Sequence, residues 1–263
     1  MQLYPKLYFF ECGTLKSEKH LFTLNKGIGE PFEVPVPFFL IQHNGKNILF
    51  DTGNALEASK NPEKHWGEIV NTYYPVMDEK QYVVNQLKTL NIMPEAIDYV
   101  ILSHLHLDHA GGVGAFPNAV YIAHNKEIEW AFNPECVQKS AYIMQDINKD
   151  IKWCQLENEF EEAYDLFKDG TIQIYPTPGH TPGHLSVLIN LKDSAPMLLT
   201  SDCCYTEENL YDNIPPGLVW NAEDSIKTIN WIKKLQNEKN VEVVTGHDPN
   251  AWKRFKKTPE YYS

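Results

Sequence analysis

Residues 103–112, SHLHLDHAGG, place three histidines and one aspartate within six positions: His104, His106, Asp108 and His109. Four titratable side chains this close are costly to bury unless a metal, a proton relay or solvent pairs them. One ion cannot take all four comfortably, because neighbouring side chains such as Asp108 and His109 point apart. Two ions solve this difficulty, with His104 and His106 facing one and Asp108 and His109 facing the other across a sharp loop.

Side chains of the same types follow other apolar runs along the chain. Asp51 follows one run, His180 lies in TPGHTPGH, Asp202 in TSDCCYT and His247 in TGHDP. Each ion would need one more imidazole and a carboxylate could bridge the two ions, so His180, His247 and Asp202 are of the right types. Imidazoles with a few carboxylates suit zinc, with iron, manganese and cobalt as alternatives. Two ions about 3.5–4 Å apart can hold a hydroxide between them and lower its pKa to near neutrality.

The elements that must position these residues follow from the sequence pattern. Aromatic and branched runs predict strands at 6–11, 35–42 and 47–50, the last two joined by a hairpin turn at 44–46. Further strands are predicted at 99–102, 119–123, 171–175, 185–191, 197–201 and 241–245. Helical spacing predicts helices over 78–90, with Asp78 as the N-cap, and over 222–235. The candidate ligands directly follow strands, which is the usual position of a site in layered α/β folds.

The order of these elements predicts an α/β protein built as an αβ/βα sandwich, with two mixed sheets face to face and helices outside. Length alone does not decide between one large domain and two small ones for 263 residues. The segment of about 126–168 carries aromatic residues among many charges, and its helical spacing is weak. We expect a helical insertion there, which either packs on the core or forms a wall of a substrate pocket.

Charge and composition argue against a nucleic-acid partner, a membrane helix and secretion. The net charge of −12 argues against a nucleic-acid partner, which would favour a basic surface. No stretch reaches the roughly 18 apolar residues that a membrane helix needs. The five cysteines are odd in number and scattered, unlike a secreted disulfide framework, and the N-terminus does not resemble a signal peptide. We therefore expect a cytoplasmic protein.

The pattern HxHxDH followed by GG, with a later histidine, an aspartate and a final histidine, resembles the metallo-β-lactamase superfamily. Within it, SHLHLDHAGG, TPGHTPGHLSVLI, LLTSDCCYTEENL and GHD are similar to the N-acyl-homoserine lactone hydrolases, which are quorum-quenching lactonases. The resemblance covers nearly the whole chain, from Asp51 to His247, and implies a single domain over residues 1–263. It also implies that the protein opens the lactone ring of N-acyl-homoserine lactones by attack of a hydroxide that bridges two metal ions.

The resemblance implies a role for each residue that matches the motif. Asp51 would orient the loop without binding metal, Tyr205 would hydrogen-bond the substrate carbonyl, and Asp108 would shuttle a proton to the leaving oxygen. His184 matches no ligand position, and Leu107 stands where some lactonases carry an aromatic residue that lines the acyl pocket. The implied ligands of two zinc ions are His104, His106 and His180 for one ion, Asp108, His109 and His247 for the other, and Asp202 as the bridge.

Alternatives remain open at this point. Other hydrolases of the same fold, such as glyoxalase II-type thioesterases and other lactonases or esterases, share the motif. A non-enzymatic metal-binding module is the alternative from a different class, and it predicts lost ligands, whereas none is missing here. None of the five cysteines falls in the metal set, and we expect Cys203 and Cys204 to be packing residues. The resemblance suggests a homodimer that acts on a small-molecule lactone, with no nucleic-acid or membrane partner.

Overall fold

Two mixed β-sheets lie face to face in the computed structural model, which describes residues 4–136 and 138–263. Residues 1–3 and 137 lie outside this description. Twelve strands occur in the described residues: β1 (Lys6–Glu18), β2 (Pro31–His43), β3 (Lys46–Phe50), β4 (Tyr74–Val76), β5 (Tyr99–Ile101), β6 (Val120–His124), β7 (Trp153–Leu156), β8 (Tyr164–Asp165), β9 (Ile172–Pro176), β10 (Leu185–Ile189), β11 (Met197–Ser201) and β12 (Glu242–Thr245). The first sheet has the order β4-β1-β2-β3-β5-β6-β7, and the second has the order β12-β11-β10-β9-β8.

The helices of the described residues connect the strands or cover the outer faces of the sheets. The α-helices are α1 (Pro62–Trp66), α2 (Val83–Leu87), α3 (Asn125–Phe132), α4 (Met144–Ile147), α5 (Glu207–Asp212), α6 (Ala222–Lys239) and α7 (Pro249–Trp252). Short 3-10 turns occupy Lys19–Leu21, Leu56–Ser59, Gly67–Asn71, Glu79–Gln81, Lys88–Leu90, Pro94–Ala96 and Lys139–Ala141. The described part of the chain contains no helix both long enough and apolar enough to cross a membrane.

Apolar side chains alternate between the two faces of the strands, as strand geometry requires. Phe9 of β1 and Phe39 of β2 lie in the core between the sheets, where their rings meet edge to face with centroids 4.9 Å apart. Phe10 and Phe38 belong to the core on the outer face of the first sheet, where they stack at 4.8 Å. The outer face of the second sheet packs against α6 through side chains such as Ile229. The predicted sandwich of two mixed sheets with helices outside is confirmed.

The predicted helices are partly confirmed. The helix predicted over 222–235 forms and continues to Lys239, and Asn221 caps it by accepting hydrogen bonds from the backbone N–H groups of Glu223 and Asp224. The helix predicted over 78–90 starts with the expected cap, because Asp78 accepts from Lys80 N at 2.7 Å. However, residue 82 is extended, with ψ near 138°, and divides the segment into a 3-10 turn and the short helix α2.

The segment 126–168 is less helical than we expected. It contains most of α3, one 3-10 turn and α4, but β7 forms an edge strand of the first sheet and β8 an edge strand of the second. Strands of four and two residues are too short for an alternating pattern to stand out in the sequence. In β7, Trp153 packs toward the outer core and Cys154 toward the core between the sheets, so the alternation exists.

Parallel pairing brings the strand ends that carry the candidate ligands to one edge of the sandwich. β3 runs parallel to β5, with Phe50 opposite Ile101, so the segments that follow them emerge side by side. β11 runs parallel to β12, and Ser201 lies opposite Thr245. The loop between β9 and β10 reaches the same edge, because Leu185 N donates to Ser103 O. Five chain segments therefore converge where the sheets meet.

Candidate metal centre

Left-handed backbone turns begin two of these segments. Asp51 has φ near 59° and Ser201 has φ near 46°. Residues other than glycine rarely adopt this left-handed backbone region. Such strain persists only where the surroundings fix it, and it concentrates at functional sites. The glycines of the histidine motif serve a different purpose. A Cβ on Gly111 would lie 2.0 Å from Ala55 N, so only glycine lets this loop pack against the turn that follows β3.

Six of the predicted ligands form two buried sets. The three-histidine set consists of His104, His106 and His180, and the mixed set consists of Asp108, His109 and His247. In the three-histidine set, His180 Nε2 lies 3.2 Å from His104 Nε2 and 3.0 Å from His106 Nδ1. In the mixed set, Asp108 Oδ2 lies 3.5 Å from the Nε2 atoms of both His109 and His247. The structure therefore brings together the residues that the motif predicted.

Asp202 lies between the two sets and turns one oxygen toward each. Its Oδ2 lies 3.5 Å from His104 Nε2 and 3.4 Å from His180 Nε2. Its Oδ1 lies 3.2 Å from His109 Nε2 and 3.0 Å from His247 Nε2. A carboxylate in this position could contribute one oxygen to each of two adjacent cations.

In four of the histidines, Nδ1 contacts a hydrogen-bonding group of the protein. The other ring nitrogen, Nε2, is then the one that faces the two donor sets. His180 Nδ1 lies 2.7 Å from Leu218 O, and His247 Nδ1 lies 2.7 Å from Pro35 O. Because a carbonyl only accepts hydrogen bonds, each Nδ1 carries a proton, so a cation bound by either ring would bind at Nε2. The Nδ1 atoms of the other two rings are also tied, His104 to Ser103 Oγ at 2.9 Å and His109 to Asp51 Oδ2 at 2.9 Å.

Two buried polar atoms at the centre of this arrangement lack a hydrogen bond from the described residues. They are His109 Nε2 and Asp202 Oδ1. In the three-histidine set, His180 Nε2 lies 3.0–3.2 Å from a nitrogen of each of the other two rings, which brings further lone pairs together. A cation at each set would satisfy these atoms with the nitrogen and oxygen donors that zinc and similar metals prefer. The residues therefore fit a metal centre.

The electrostatics differ between the two sets. Burial, together with the neighbouring imidazoles, lowers the pKa values of His104 and His106, and burial also lowers that of His180. Burial opposes the charge on His109, but the carboxylates of Asp202, Asp108 and Asp51 raise its pKa well above the ordinary value. The three-histidine set is thus neutral and ready to bind a cation, whereas a cation at the mixed set would displace a proton.

Asp51 and His184 lie outside both sets and contact the groups that carry them. Asp51 Oδ1 accepts from Ser103 N at 2.7 Å, and its Oδ2 accepts from the hydroxyls of Ser103 and Ser201 at 2.8 and 3.2 Å, besides contacting His109. His184 Nε2 accepts from Asp202 N at 3.2 Å. Ligands of buried metal sites commonly depend on such supporting contacts for their orientation.

A narrow cavity of about 20 Å³ opens onto the two sets. Apart from residues of the centre, its lining consists of two tyrosines, Tyr73 and Tyr205, and apolar side chains: Leu15, Phe22, Leu107, Ala141 and Leu218. The hydroxyl of Tyr205 lies 3.4 Å from His180 Nδ1, whereas that of Tyr73 is buried without a hydrogen-bond partner among the described residues. A wider cavity of about 380 Å³ around Trp220 includes none of the clustered residues, so we place the site at the narrow one.

Three features of the site were not found from the sequence. Tyr73 lies in a short run of tyrosines that carries no motif, and Glu127 is one of several acids in a charged helix. Yet Glu127 is fully buried, and it contacts Leu105 between two of the histidines. Gln138 donates from Nε2 to His180 O at 2.7 Å. Both of these hydrogen bonds join residues more than 20 positions apart, so no local pattern could indicate them.

A family model described as the metallo-beta-lactamase superfamily matches residues 32–247. The chain belongs to this superfamily. Within it, the chain is similar over nearly its whole length to proteins named N-acyl homoserine lactonase. It is 42% identical over 259 residues to N-acyl homoserine lactonase AttM of Rhizobium radiobacter, which covers 98% of each chain. It is 32% identical over 257 residues to N-acyl homoserine lactonase AiiA of Bacillus thuringiensis subsp. kurstaki, which covers 97% of this chain and 98% of the other.

Solved structures agree with the sequence comparisons. An N-acyl homoserine lactone hydrolase with the product N-hexanoyl-L-homoserine bound at its catalytic metal centre superimposes with a TM-score of 0.88 at 31% identity. The alignment covers 99% of this chain and 100% of that one. A mutant of Bacillus thuringiensis AiiA with N-decanoyl-L-homoserine bound at its active site also gives a TM-score of 0.88 at 31% identity, over 99% of this chain and 100% of the other.

Proposed function

We propose that the protein is a metal-dependent hydrolase that opens the lactone ring of N-acyl-homoserine lactones. One observation carries the proposal: two buried donor sets share Asp202 at the floor of a cavity that Tyr205 lines. Full-length similarity to named lactonases at 32–42% identity supports the choice of substrate among the hydrolases of this fold. The retained ligands argue against a binding module without activity.

The three-histidine set and the mixed set would each hold one ion, with Asp202 bridging them, and zinc is the ion that we propose. Iron, manganese and cobalt accept similar donors and are the alternatives. When bound, a pair of such ions would activate water for attack at neutral pH and would polarise the lactone carbonyl. Asp51 would keep His109 in the orientation and tautomer that a ligand needs, through the 2.9 Å contact to Nδ1.

Ring opening requires that a water oxygen bonds to the carbonyl carbon, that the bond from this carbon to the ring oxygen breaks, and that the ring oxygen gains a proton. Tyr205 lines the cavity, and its hydroxyl would donate a hydrogen bond to the carbonyl oxygen as negative charge develops there. Burial and the nearby Asp202 raise the pKa of Tyr205 well above its ordinary value, so the hydroxyl keeps its proton. Asp108 also lines the cavity and would pass the proton from the water to the leaving oxygen.

The other residues that line the cavity suit the acyl amide part of the substrate. The Tyr73 hydroxyl has no hydrogen-bond partner in the described part of the chain, and a substrate amide oxygen would accept one from it. Leu15, Phe22 and Leu218 would contact the acyl chain. The segment 126–168 contributes Ala141 to the lining, in keeping with a role as pocket wall. Because the cavity has room for about one water molecule, these side chains must move when a lactone enters.

We also propose a single domain over residues 1–263 and a cytoplasmic homodimer as the working form. The five cysteines are all free, which suits a reducing compartment. Size-exclusion chromatography with light scattering measures the oligomeric state directly.

A substrate panel tests the function. Zinc- or cobalt-loaded protein is mixed with N-acyl-homoserine lactones of four to twelve acyl carbons, a glutathione thioester, a β-lactam and a phosphodiester. Hydrolysis is followed by proton release or by product absorbance. We expect turnover of the lactones and at most weak hydrolysis of the others. Asp108→Asn and chelator-treated protein serve as controls that should lose the activity. Failure to open any lactone at millimolar concentration would reject the lactonase proposal.

A further inference from the structure

Glu127 is a fully buried carboxylate at the start of α3 that the mechanism above does not use. Its Oε1 accepts from the backbone N–H of Leu105 at 3.0 Å and from the hydroxyl of Tyr142 at 3.1 Å. Its Oε2 accepts from the hydroxyl of Thr181 at 2.5 Å. Burying a carboxylate without a charged partner is costly, so these donors must be important for keeping it there.

The donors belong to the segments that carry the three-histidine set. Leu105 lies between His104 and His106, and Thr181 directly follows His180. Tyr142 packs its ring on His106 at a centroid distance of 4.6 Å, with the planes about 65° apart. For every histidine in the set, the Glu127 carboxylate therefore contacts a residue next to it in the sequence.

The loop that carries His180 also packs directly on the backbone at Glu127. A Cβ on Gly183 would lie 2.1 Å from Glu127 N, so only glycine allows this approach. The contact fixes the distance between α3 and the loop from residue 177 to residue 184. The hydrogen bonds of Glu127 then set the orientation of the loop relative to the histidine motif.

Asp51 occupies the corresponding place beside the mixed set. It contacts His109 Nδ1 directly, and it reaches His104 only through the hydroxyl of Ser103. Among the hydrogen bonds of Glu127, none reaches Asp108, His109 or His247 or their immediate neighbours in the described chain. The two carboxylates thus support different halves of the centre.

We propose that Glu127 is a positioning residue for the three-histidine set, and that its loss weakens the ion at this set while the ion at the mixed set stays bound. The inference rests on the metal centre of the proposed function, but not on the identity of the substrate. A carboxylate suits the role because it accepts from several donors at once without offering a donor of its own. Supporting residues of this kind typically change metal affinity 10- to 100-fold when replaced.

The test measures metal affinity rather than activity. Wild-type protein, Glu127→Gln and Glu127→Ala are each stripped of metal and titrated with zinc in competition with a chromophoric chelator. Glu129→Gln is the matched control, because Glu129 is an exposed acid on the same helix. We expect two tight ions in wild-type protein and in the control. In Glu127→Gln one ion should bind about 10- to 100-fold more weakly and the other within about threefold of wild type.

If Glu127 only stabilised the fold, the result would be different. Its replacement would lower the melting temperature of the metal-free protein and reduce the affinity for both ions alike. That result, or wild-type affinity for both ions in a folded Glu127→Gln variant, would overturn the inference. If both Glu127 variants fail to fold, Thr181→Val removes one donor while keeping the shape, and it should weaken one ion only. An unchanged affinity for both ions in that variant would also overturn it.

Failure of the inference is distinguishable from failure of the proposed function. A wild-type protein that binds two ions but opens no lactone rejects the lactonase proposal and leaves the role of Glu127 intact. A lactonase in which Glu127→Gln keeps both ions rejects the role of Glu127 and leaves the function intact.

Discussion

Replacing Asp51 by asparagine should weaken metal binding at the mixed set, although the two side chains have the same shape. Asp51 Oδ1 accepts from Ser103 N at 2.7 Å, and Oδ2 contacts His109 Nδ1 at 2.9 Å. If the asparagine oxygen takes the Oδ1 position, its NH₂ group faces His109 Nδ1. The ring must then accept at Nδ1 and carry its proton at Nε2, the atom that faces Asp202 and the metal site. A protonated Nε2 cannot bind a cation.

The opposite orientation of the asparagine is no better. Its NH₂ group would then face the N–H of Ser103, and a buried donor would lose its acceptor at a cost of about 1–3 kcal/mol. Either arrangement predicts a 10- to 100-fold loss of affinity for one ion, which corresponds to about 1.4–2.8 kcal/mol. The same wrong-tautomer effect follows when an aspartate beside a catalytic histidine becomes asparagine.

The assay is a zinc titration against a competing chelator, with the zinc content of dialysed protein measured by atomic emission. Glu129→Gln is the control, because it makes the same acid-to-amide change at an exposed position outside both donor sets. We expect the control to bind both ions as tightly as wild type, since it leaves the contacts of Asp51 with Ser103 and His109 in place. An Asp51→Asn variant that folds and binds both ions like wild type would refute the tautomer argument.

Three further predictions concern single side chains. Tyr205→Phe should keep both ions and lower kcat for lactone opening about 100- to 1000-fold, because one oxyanion donor is lost. Stopped-flow proton release and zinc analysis of the same sample measure this. Tyr73→Phe should lower kcat/KM about 5- to 30-fold for an N-acyl-homoserine lactone but leave a γ-lactone without an amide unchanged, and equal losses on both would contradict its role. Burial opposes the charge on Asp169, but hydrogen bonds from Thr171 and His43 lower its pKa to about 2. The resulting stabilisation, about 1 kcal/mol after solvent screening, is present above pH 4 and is lost as the pH falls toward 2. The free energies of urea unfolding of wild type and Asp169→Asn should therefore differ at pH 5 and converge near pH 2.

The clustering of the candidate ligands could be predicted from the sequence because each follows a strand or lies within a dense local motif. His104, His106, Asp108 and His109 lie within six consecutive positions, so their crowding is visible without any knowledge of the fold. The parallel pairing of strands then brings Asp202 and its partners to the same edge. The longer strands of the fold could also be predicted, because alternating apolar residues mark them in the sequence.

Residues whose function depends on distant packing could not be predicted. Glu127 lies 22 positions from Leu105 and 54 from Thr181, and Tyr73 faces the cavity only because the first sheet brings its loop there. An acid in a charged helix is usually solvated, so burial alone distinguishes Glu127. The edge strands in 126–168 were missed for a related reason, because pairing rather than composition makes them strands.

In the proposed centre the two ions would share Asp202, so it must be explained how one could bind more weakly while the other stays bound. If the ions alone positioned the bridge, loss of either would release it, and both affinities would fall together. However, the backbone of Asp202 is held independently, because its N–H donates to His184 Nε2 and the ring of His184 is fixed in turn by Thr177 at 2.8 Å. Thr177 and His184 lie at the two ends of the loop that contacts Glu127, next to β9 and β10, and Thr177 N donates to His184 O at 2.8 Å. The carboxylate therefore has a support that does not pass through the hydrogen bonds of Asp51 or Glu127. Loss of either acid should leave the bridge in place for the remaining ion, which is why we expect selective rather than joint weakening.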